Sequence, residues 1–471
     1  MSELSNTPVP SQKAKSQNRE SGQKIEDSGQ AIRRLAMAVL LRFERNRKSE
    51  QRLKADALIA EQIQSASLEV SAVDRRFLQA LVLGALRQQV RLDAWIEALS
   101  GRPLKQLEPV VKVLLRLGLF QLGDLDQVPA YAAIDTTVRL ARQQTRNART
   151  VKFVNAVLRE AQRQCEADNL PDKQETDPIR RFLWRFAWPE AWTRLLLQSY
   201  SLEQVEAMAQ ASQKSPTLSI RINTLKITLE AYRNALIEAG IDSKSLPNGP
   251  LEGLLLASWP GSIRELPGYA EGWFYVQDAA SMWVARLVNP QPGERILDMC
   301  AAPGSKTSHM AALAQNRVRI TALDPAMRRV ALLHENIMRL GLENIEVIQT
   351  DALDYLLPLE SISEGYDKIL VDAPCSGSGT VRRHPEILQH LAPPQNLEAL
   401  ATQQLALLEK ALTCLKSGGL LIYSTCSILP QENCEVIQML QQRHPSLTLI
   451  FEEQRLIQPH SDGFYAAILL K

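Results

Sequence analysis

Thiols, carboxylates and small residues gather at three places in the second half of the sequence. DMCAAPGSKT (298–307) joins an acid and a cysteine to a glycine-bearing turn. DAPCSGSGTVRRHP (372–385) joins a second acid and cysteine to two arginines, and LIYSTCSI (421–428) ends a β-forming run at Cys426. A cysteine without a disulfide is commonly buried as a small apolar residue, so Cys426 taken alone reads as packing. Cys375 and Cys426 taken together, each at the end of an apolar run and flanked by Ser or Gly, read as thiols placed for chemistry. A thiolate can add to an electrophilic carbon, and a nearby carboxyl such as Asp372 can protonate or hydrogen-bond the group being attacked. Six cysteines spread over 471 residues, with no CxxC pair, are not a disulfide framework and do not suggest zinc. No metal is expected, and the remaining cysteines, Cys165, Cys414 and Cys434, lie in helical patterns and read as structural.

These residues need elements that bring them together. From Gln291 the chain alternates between short apolar strands (RILDMC, RITALD, IEVIQTD, KILVDAP, LLIYSTC) and helical patterns such as MRRVALLHENIMRLG. That alternation predicts βαβ units and a mostly parallel sheet covered on both faces. In open sheets of this kind ligands lie beyond the C-terminal ends of the strands. Asp298, Cys300, Asp324, Asp351, Asp372, Cys375 and Cys426 all fall there. The loop at 300–306 has neither the GxGxxG pattern of a dinucleotide site nor the GxxxxGK[ST] pattern of a phosphate loop. It is compact enough for a ligand with an amino-acid end. Asp324, 26 residues after Asp298, is placed to take ribose hydroxyls, and Asp351 to accept from an adenine amine. Three acids at successive strand ends favour a nucleoside cofactor over isolated helix caps.

The first part of the chain is different. Residues 1–29 are polar and nearly free of large apolar side chains, the composition of a disordered tail. Residues 30–165 are helical throughout. In KQLEPVVKVLLRLGLFQL, Leu107, Val110, Val111, Leu114 and Leu117 recur at spacings of three and four. RRFLQALVLGALRQ and AIDTTVRLARQ repeat the pattern. A charged, Pro-containing linker and connecting helices with Trp184, Trp188 and Trp192 as packing anchors occupy 166–214. A small α/β module (215–285) follows, built from SIRINTLK, LEAYRNALIEAG and LEGLLLA, and the core fills 286–471. The net charge of +2 conceals an asymmetry: residues 31–165 hold 23 Lys/Arg against 13 Asp/Glu, and residues 166–471 hold 27 against 35. A basic part beside an acidic one suggests a polyanionic partner such as nucleic acid, with solvated helix surfaces as the plain alternative. No apolar run approaches the ~20 residues of a membrane span, and no apolar signal segment opens the chain, so a cytoplasmic protein is expected. Nothing suggests a dimer seam, and a monomer is expected.

CAAPGSKT, DAPCSGSG and YSTCS, in this order and spacing, resemble the RNA cytosine-C5 methyltransferase family. GWFYVQDAASM (272–282) resembles the segment before that family's core, DGFYAAILLK its closing strand, and SIRINTLK its small N-terminal module. VDRRFLQALVLGALRQ, AAIDTTVRLAR and KFVNAVLRE resemble the helical RNA-binding domain of the antitermination factor NusB. The resemblance spans roughly residues 30–471. It implies an α/β methyltransferase core with a Rossmann-like, mostly parallel seven-stranded sheet. An all-α NusB-like domain precedes it, with a small α/β module between the two. The combination is similar to the branch that methylates a cytosine of bacterial 16S ribosomal RNA to 5-methylcytosine, a step of rRNA processing.

The resemblance further implies S-adenosyl-L-methionine as methyl donor, held by Cys300, Ala301, Ala302, Pro303, Gly304, Ser305 and Lys306 together with Asp324, Asp351 and Asp372. Cys426 would be the nucleophile, Cys375 would assist product release, and Asp372 would bind the cytosine ring. Arg221, Arg382 and Arg383 are candidate RNA contacts. One departure is visible: the family loop usually carries a second glycine where this chain has Ser305, which implies a conformation that serine tolerates. Competing readings are a DNA cytosine methyltransferase, with Cys375 as nucleophile, and a non-catalytic RNA-binding factor. A Rossmann oxidoreductase is more distant, because the dinucleotide fingerprint is absent.

Overall fold

The computed structural model describes residues 12–46, 53–66, 70–247, 249–256, 259, 261–357, 365–390 and 394–471. The chain divides into two compact units, Met1–Trp188 and Pro189–Lys471. The first is helical among the described residues. Its main helices are Gln12–Asn46, Ala55–Ser65, Ala72–Arg87, Gln89–Ser100, Pro109–Asp124, Ala130–Gln144 and Ala148–Glu166. The first eleven residues lie outside the described ones. The backbone is helical from Gln12, within the stretch whose composition suggests a tail, and Ala31 and Ile32 are buried in the core.

Helix ends follow local rules. Ser71 accepts from the Asp74 N–H at the start of one helix, and Pro109 occupies the first turn of another. Pro109–Asp124 buries Val111, Leu114 and Leu117 from the face read in the sequence, and also Val113, Leu115, Leu119 and Phe120. The helix is therefore central, packed by neighbours on every side. The one charge it buries, Arg116, is neutralised by Glu44 and Asp93, each 2.6 Å away.

The second unit begins with helices Glu190–Leu196 and Leu202–Gln213. Four strands follow: β1 (Leu218–Ile222), β2 (Ser243–Ser245), β3 (Gly253–Leu256) and β4 (Phe274–Val276). They form an antiparallel sheet in the order β2-β3-β1-β4. Helix Leu229–Glu238 places Tyr232 and Leu236 against Ile220, Ile222, Leu254 and Phe274.

The remaining strands are β5 (Arg295–Asp298), β6 (Arg319–Leu323), β7 (Ile345–Ile348), β8 (Tyr366–Asp372), β9 (Leu415–Thr425), β10 (Thr448–Arg455) and β11 (Phe464–Leu470). They form one seven-stranded sheet in the order β10-β11-β9-β8-β5-β6-β7. β5 pairs in parallel with both β6 and β8, β6 with β7, and β8 with β9; β11 runs antiparallel to β9 and β10. The Rossmann-like, mostly parallel sheet is the architecture the sequence pattern implies. The strand order reverses direction around β5, which opens a crevice between the ends of β5 and β8. Among the described residues no helix is long and apolar enough to cross a membrane.

Candidate active site

The carboxyl ends of β5, β6, β8 and β9 share one rim of the sheet. The loop after β5 is tied to both neighbouring strands: Met299 N–H donates to Leu370 O (3.0 Å) and Ala301 N–H to Leu323 O (2.9 Å). The loop turns at Gly304, whose φ of +98° suits glycine. A Cβ there would lie 2.5 Å from Leu333 Cδ1. Ser305 opens helix Ser305–Leu313 and lies outside the positive-φ residues, so serine is accommodated without strain. The outward side of the loop is held by Arg329, which donates to Ala302 O (2.7 Å), and by Asn336, which donates to Pro303 O (3.1 Å).

Asp298 is buried and accepts from Thr307 Oγ1 at 2.7 Å on one oxygen, while its Oδ1 has no protein partner. Burial pushes its carboxyl up to about 7, against the hydrogen bond from Thr307. A buried carboxyl oxygen without a partner calls for a donor, and the ammonium of an amino-acid end would supply one. Burial also raises the Cys300 thiol, with the nearby Asp298, Asp372 and Asp324 adding to it, so this cysteine stays protonated. Asp324 follows β6, is buried, and pairs with Arg329 at 2.6 Å while accepting from Ala326 N–H at 3.0 Å. Asp351 is exposed and accepts from Leu353 N–H (3.0 Å).

Asp372 ends β8 and joins the two halves of the site. Its Oδ2 receives Lys306 Nζ at 2.7 Å and its Oδ1 receives Ser424 Oγ at 2.8 Å. Lys306 is buried, with its ammonium 5.0 Å from the centre of the Phe464 ring. Ser424 lies opposite Asp372 in the parallel β8–β9 register. Beyond these strand ends the Cys375 and Cys426 sulfurs approach to 3.3 Å. Cys375 is pushed well above the usual thiol range, first by its hydrogen bond with Cys426, then by burial and by the charges of Cys426 and Glu432. The Cys426 loop is fixed from its backbone, since Gly379 N–H donates to Cys426 O (2.9 Å). A Cβ at Gly379 would lie 2.1 Å from Gly463 O, so only glycine allows that approach. All six cysteines are thiols, and no metal-holding cluster of His, Cys, Asp and Glu occurs among the described residues.

The structure thus brings Cys426 and Cys375 together, joins Asp372 to Lys306 and Ser424 at the neighbouring strand ends, and sets Asp298, Cys300 and Asp324 on the same rim. Two of the arginines expected to reach RNA are buried instead. Arg221 donates to Gln277 Oε1 (2.5 Å), Ser305 O (2.8 Å) and Ser308 Oγ (2.8 Å). Arg382 bonds Pro459 O at 2.7 Å and lies between Asp278 and Asp462, at 3.2 and 3.4 Å. Both guanidinium groups are buried and bonded within the protein. Arg383 pairs with Asp462 and keeps a side chain that is 40% exposed, so it alone of the three can also meet a ligand.

Sequence reasoning overlooked Ser424, Ser376, Ser427 and Glu432. Glu432 is fully buried, and its carboxylate accepts from Ser376 N–H (2.7 Å), Ser376 Oγ, Ser427 Oγ (2.6 Å) and Gln404 Nε2 (3.2 Å). The only sequence signal was an acid in the turn PQEN, six residues after Cys426.

Comparison with known proteins gives the family. Residues 285–469 match the family model described as 16S rRNA methyltransferase RsmB/F. Residues 30–163 match the NusB family, and residues 184–259 match an RsmF/B-like ferredoxin-like domain. A probable ribosomal RNA small subunit methyltransferase B of Synechocystis sp. is 37% identical over 378 residues, 80% of this chain and 82% of that protein. Ribosomal RNA small subunit methyltransferase B of Pseudomonas putida is 37% identical over 415 residues, 86% and 92% of the two chains. Among solved structures, a methyltransferase homolog from Pyrococcus horikoshii aligns with TM-score 0.53 and 30% identity, over 63% of this chain and all (100%) of that one. The crystal structure of PH0851 shares the fold over 93% of this chain and 99% of its own, with TM-score 0.73 and 24% identity. The chain belongs to the 16S rRNA methyltransferase RsmB/F family.

Proposed function

We propose that this protein transfers a methyl group from S-adenosyl-L-methionine to C5 of a cytosine in 16S ribosomal RNA through a covalent cysteine–C6 adduct. The observation that carries this reading is the convergence of two thiols, 3.3 Å apart, beside an Asp372 held by Lys306 and Ser424. C5 of cytosine is a weak nucleophile. Addition of the Cys426 thiolate to C6 makes C5 enamine-like as N3 takes up a proton from solvent, and the Asp372 carboxylate assists by accepting a hydrogen bond from the ring. S-adenosylmethionine, when bound, supplies an electrophilic methyl on a sulfonium. A base then removes the C5 proton, the C6–S bond breaks, and the Cys426 sulfur leaves as a thiolate, with Cys375 assisting release.

The residues present suit that cofactor. The loop is compact, its turn at Gly304 packed against Leu333, and the unpartnered Asp298 Oδ1 can receive an ammonium. The backbone of Cys300, Ala301, Ala302, Pro303, Gly304 and Ser305 would line the amino-acid end, with Lys306 bracing Asp372 beside it. Asp324 would take ribose hydroxyls, and Asp351 the base. Residues 30–165 are assigned the grip on flanking RNA and 286–471 the chemistry, with 166–214 connecting and 215–285 bearing on the cofactor loop through Arg221. The target base must be unstacked to enter such a pocket, because addition and methyl transfer need both ring faces.

Bisulfite sequencing of ribosomal RNA from cells with and without this protein tests the reading. A single cytosine of 16S RNA should be protected only when the protein is present. Identical protection in both would overturn it.

A further inference from the structure

Glu432 is a fully buried carboxylate. Its hydrogen bonds converge on the two residues that directly follow the cysteines: Ser376 after Cys375, and Ser427 after Cys426. Ser376 gives it both its N–H (2.7 Å) and its hydroxyl, and Ser427 gives its hydroxyl at 2.6 Å. Gln404 adds a fourth donor at 3.2 Å, while donating also to Pro374 O at 2.9 Å, the residue before Cys375. Tyr423 OH donates to the Glu432 carbonyl at 2.6 Å, which anchors the residue to β9 itself. Ser378 reinforces the bridge, with its hydroxyl 2.8 Å from Ser427 Oγ and accepting from Ile428 N–H at 2.9 Å. An ionised carboxylate is acceptor-only, with room for about four donors, which is the set this site supplies.

We infer that Glu432 is a positioning residue that locks the two cysteine-bearing loops to each other and sets the separation and division of labour of their thiols. The inference rests on the two-thiol chemistry proposed above. The two loops leave different strands, 51 residues apart in sequence, and the sulfurs must stay close without either loop drifting. A buried negative charge on the Cys375 side also disfavours ionisation of that thiol, leaving Cys426 to attack. An error of about 1 Å in such a constellation costs about 10²-fold in rate.

The test is Glu432→Gln in the full chain, which keeps the shape but turns an NH₂ toward groups that are themselves donors. Turnover should fall by about 10²-fold, with the KM for S-adenosylmethionine unchanged because the hydrogen bonds of Glu432 go to Ser376, Ser427, Gln404 and Tyr423. Iodoacetamide labelling without RNA, mapped by peptide mass, should favour Cys426 in the wild type and lose that preference in the variant. A merely structural role would lower the melting temperature without altering which cysteine is labelled. If Glu432→Gln does not fold, Ser427→Ala and Ser376→Ala decide the matter, each removing one hydroxyl; both should lower turnover and shift labelling toward Cys375. Wild-type turnover and wild-type labelling in the folded Gln variant, or in both serine variants, would overturn the inference. Because labelling needs no RNA, its outcome is separate from the fate of the cytosine chemistry, which fails if Cys426→Ala retains methyl transfer.

Discussion

Asp372 is the residue through which the site is wired. One oxygen holds the Lys306 ammonium, which comes from the cofactor-side helix, and the other holds Ser424 from the neighbouring strand. Replacing the carboxylate by an amide keeps the size but removes the charge and one acceptor oxygen. Asp372→Asn should lower single-turnover methyl transfer by about 10²–10⁴-fold, the range of a lost acid–base group. A rate within threefold of wild type would remove Asp372 from the chemistry. The placement of Asp372 and Cys426 at the ends of β8 and β9, and of Cys375 in the loop after β8, was legible in the sequence because apolar runs end there in polar residues. Ser424 and Glu432 were not, because their meaning depends on register and on contacts that sequence spacing does not encode. The burial of Arg221 and Arg382 was not legible for the converse reason: an arginine's pattern does not tell a buried, internally bonded guanidinium from an exposed one.

At the scale of elements, the sheet order puts the ends of β5 and β8 side by side, and the small antiparallel sheet braces the helix that follows β5. Arg221 of β1 reaches Ser305 O and Ser308, and Glu252, beside β3, reaches His309 Nε2 at 2.7 Å. Burial, helped by the Arg221 charge, pushes His309 down to about 4, so it is neutral at pH 7 and donates its Nε2–H. Burial alone would raise Glu252, but bonds from His309 and Arg286 hold it at about 2. The unfolded histidine titrates near 6.5, so the folded chain refuses a proton that the unfolded chain accepts between pH 6.5 and about 4. Stability from this group is therefore present above pH 6.5 and lost as pH falls through that window. The melting-temperature gap between wild type and His309→Gln should widen from pH 4.5 to pH 7, as measured by thermal denaturation; a gap that stays constant or narrows would contradict the assignment. The parallel strands were legible as continuous apolar runs. β2 and β4 are three residues each, and edge strand β10 alternates half-buried with exposed positions, so none of them announces itself by composition.

At the scale of the molecule, a helical unit with surplus positive charge accompanies an acidic catalytic unit. Within residues 31–165, Arg139, Arg142, Arg146, Arg149 and Lys152 are all exposed around the turn between two helices. If this surface meets phosphates, methylation of a short RNA fragment should weaken steeply as salt rises. Substituting Arg142, Arg146 and Arg149 by Ala together should reduce the slope of log affinity against log salt by about one for each lost contact. An unchanged slope would place the RNA elsewhere. The central claim, however, concerns the two sulfurs, and the most direct measurement is trapping of the protein–RNA adduct by denaturing gel electrophoresis with S-adenosylmethionine present. Cys426→Ala should give neither adduct nor methylated RNA, while Cys375→Ala should accumulate an adduct that it cannot release. An adduct formed by Cys426→Ala and absent from Cys375→Ala would assign the attack to the other thiol and contradict this account.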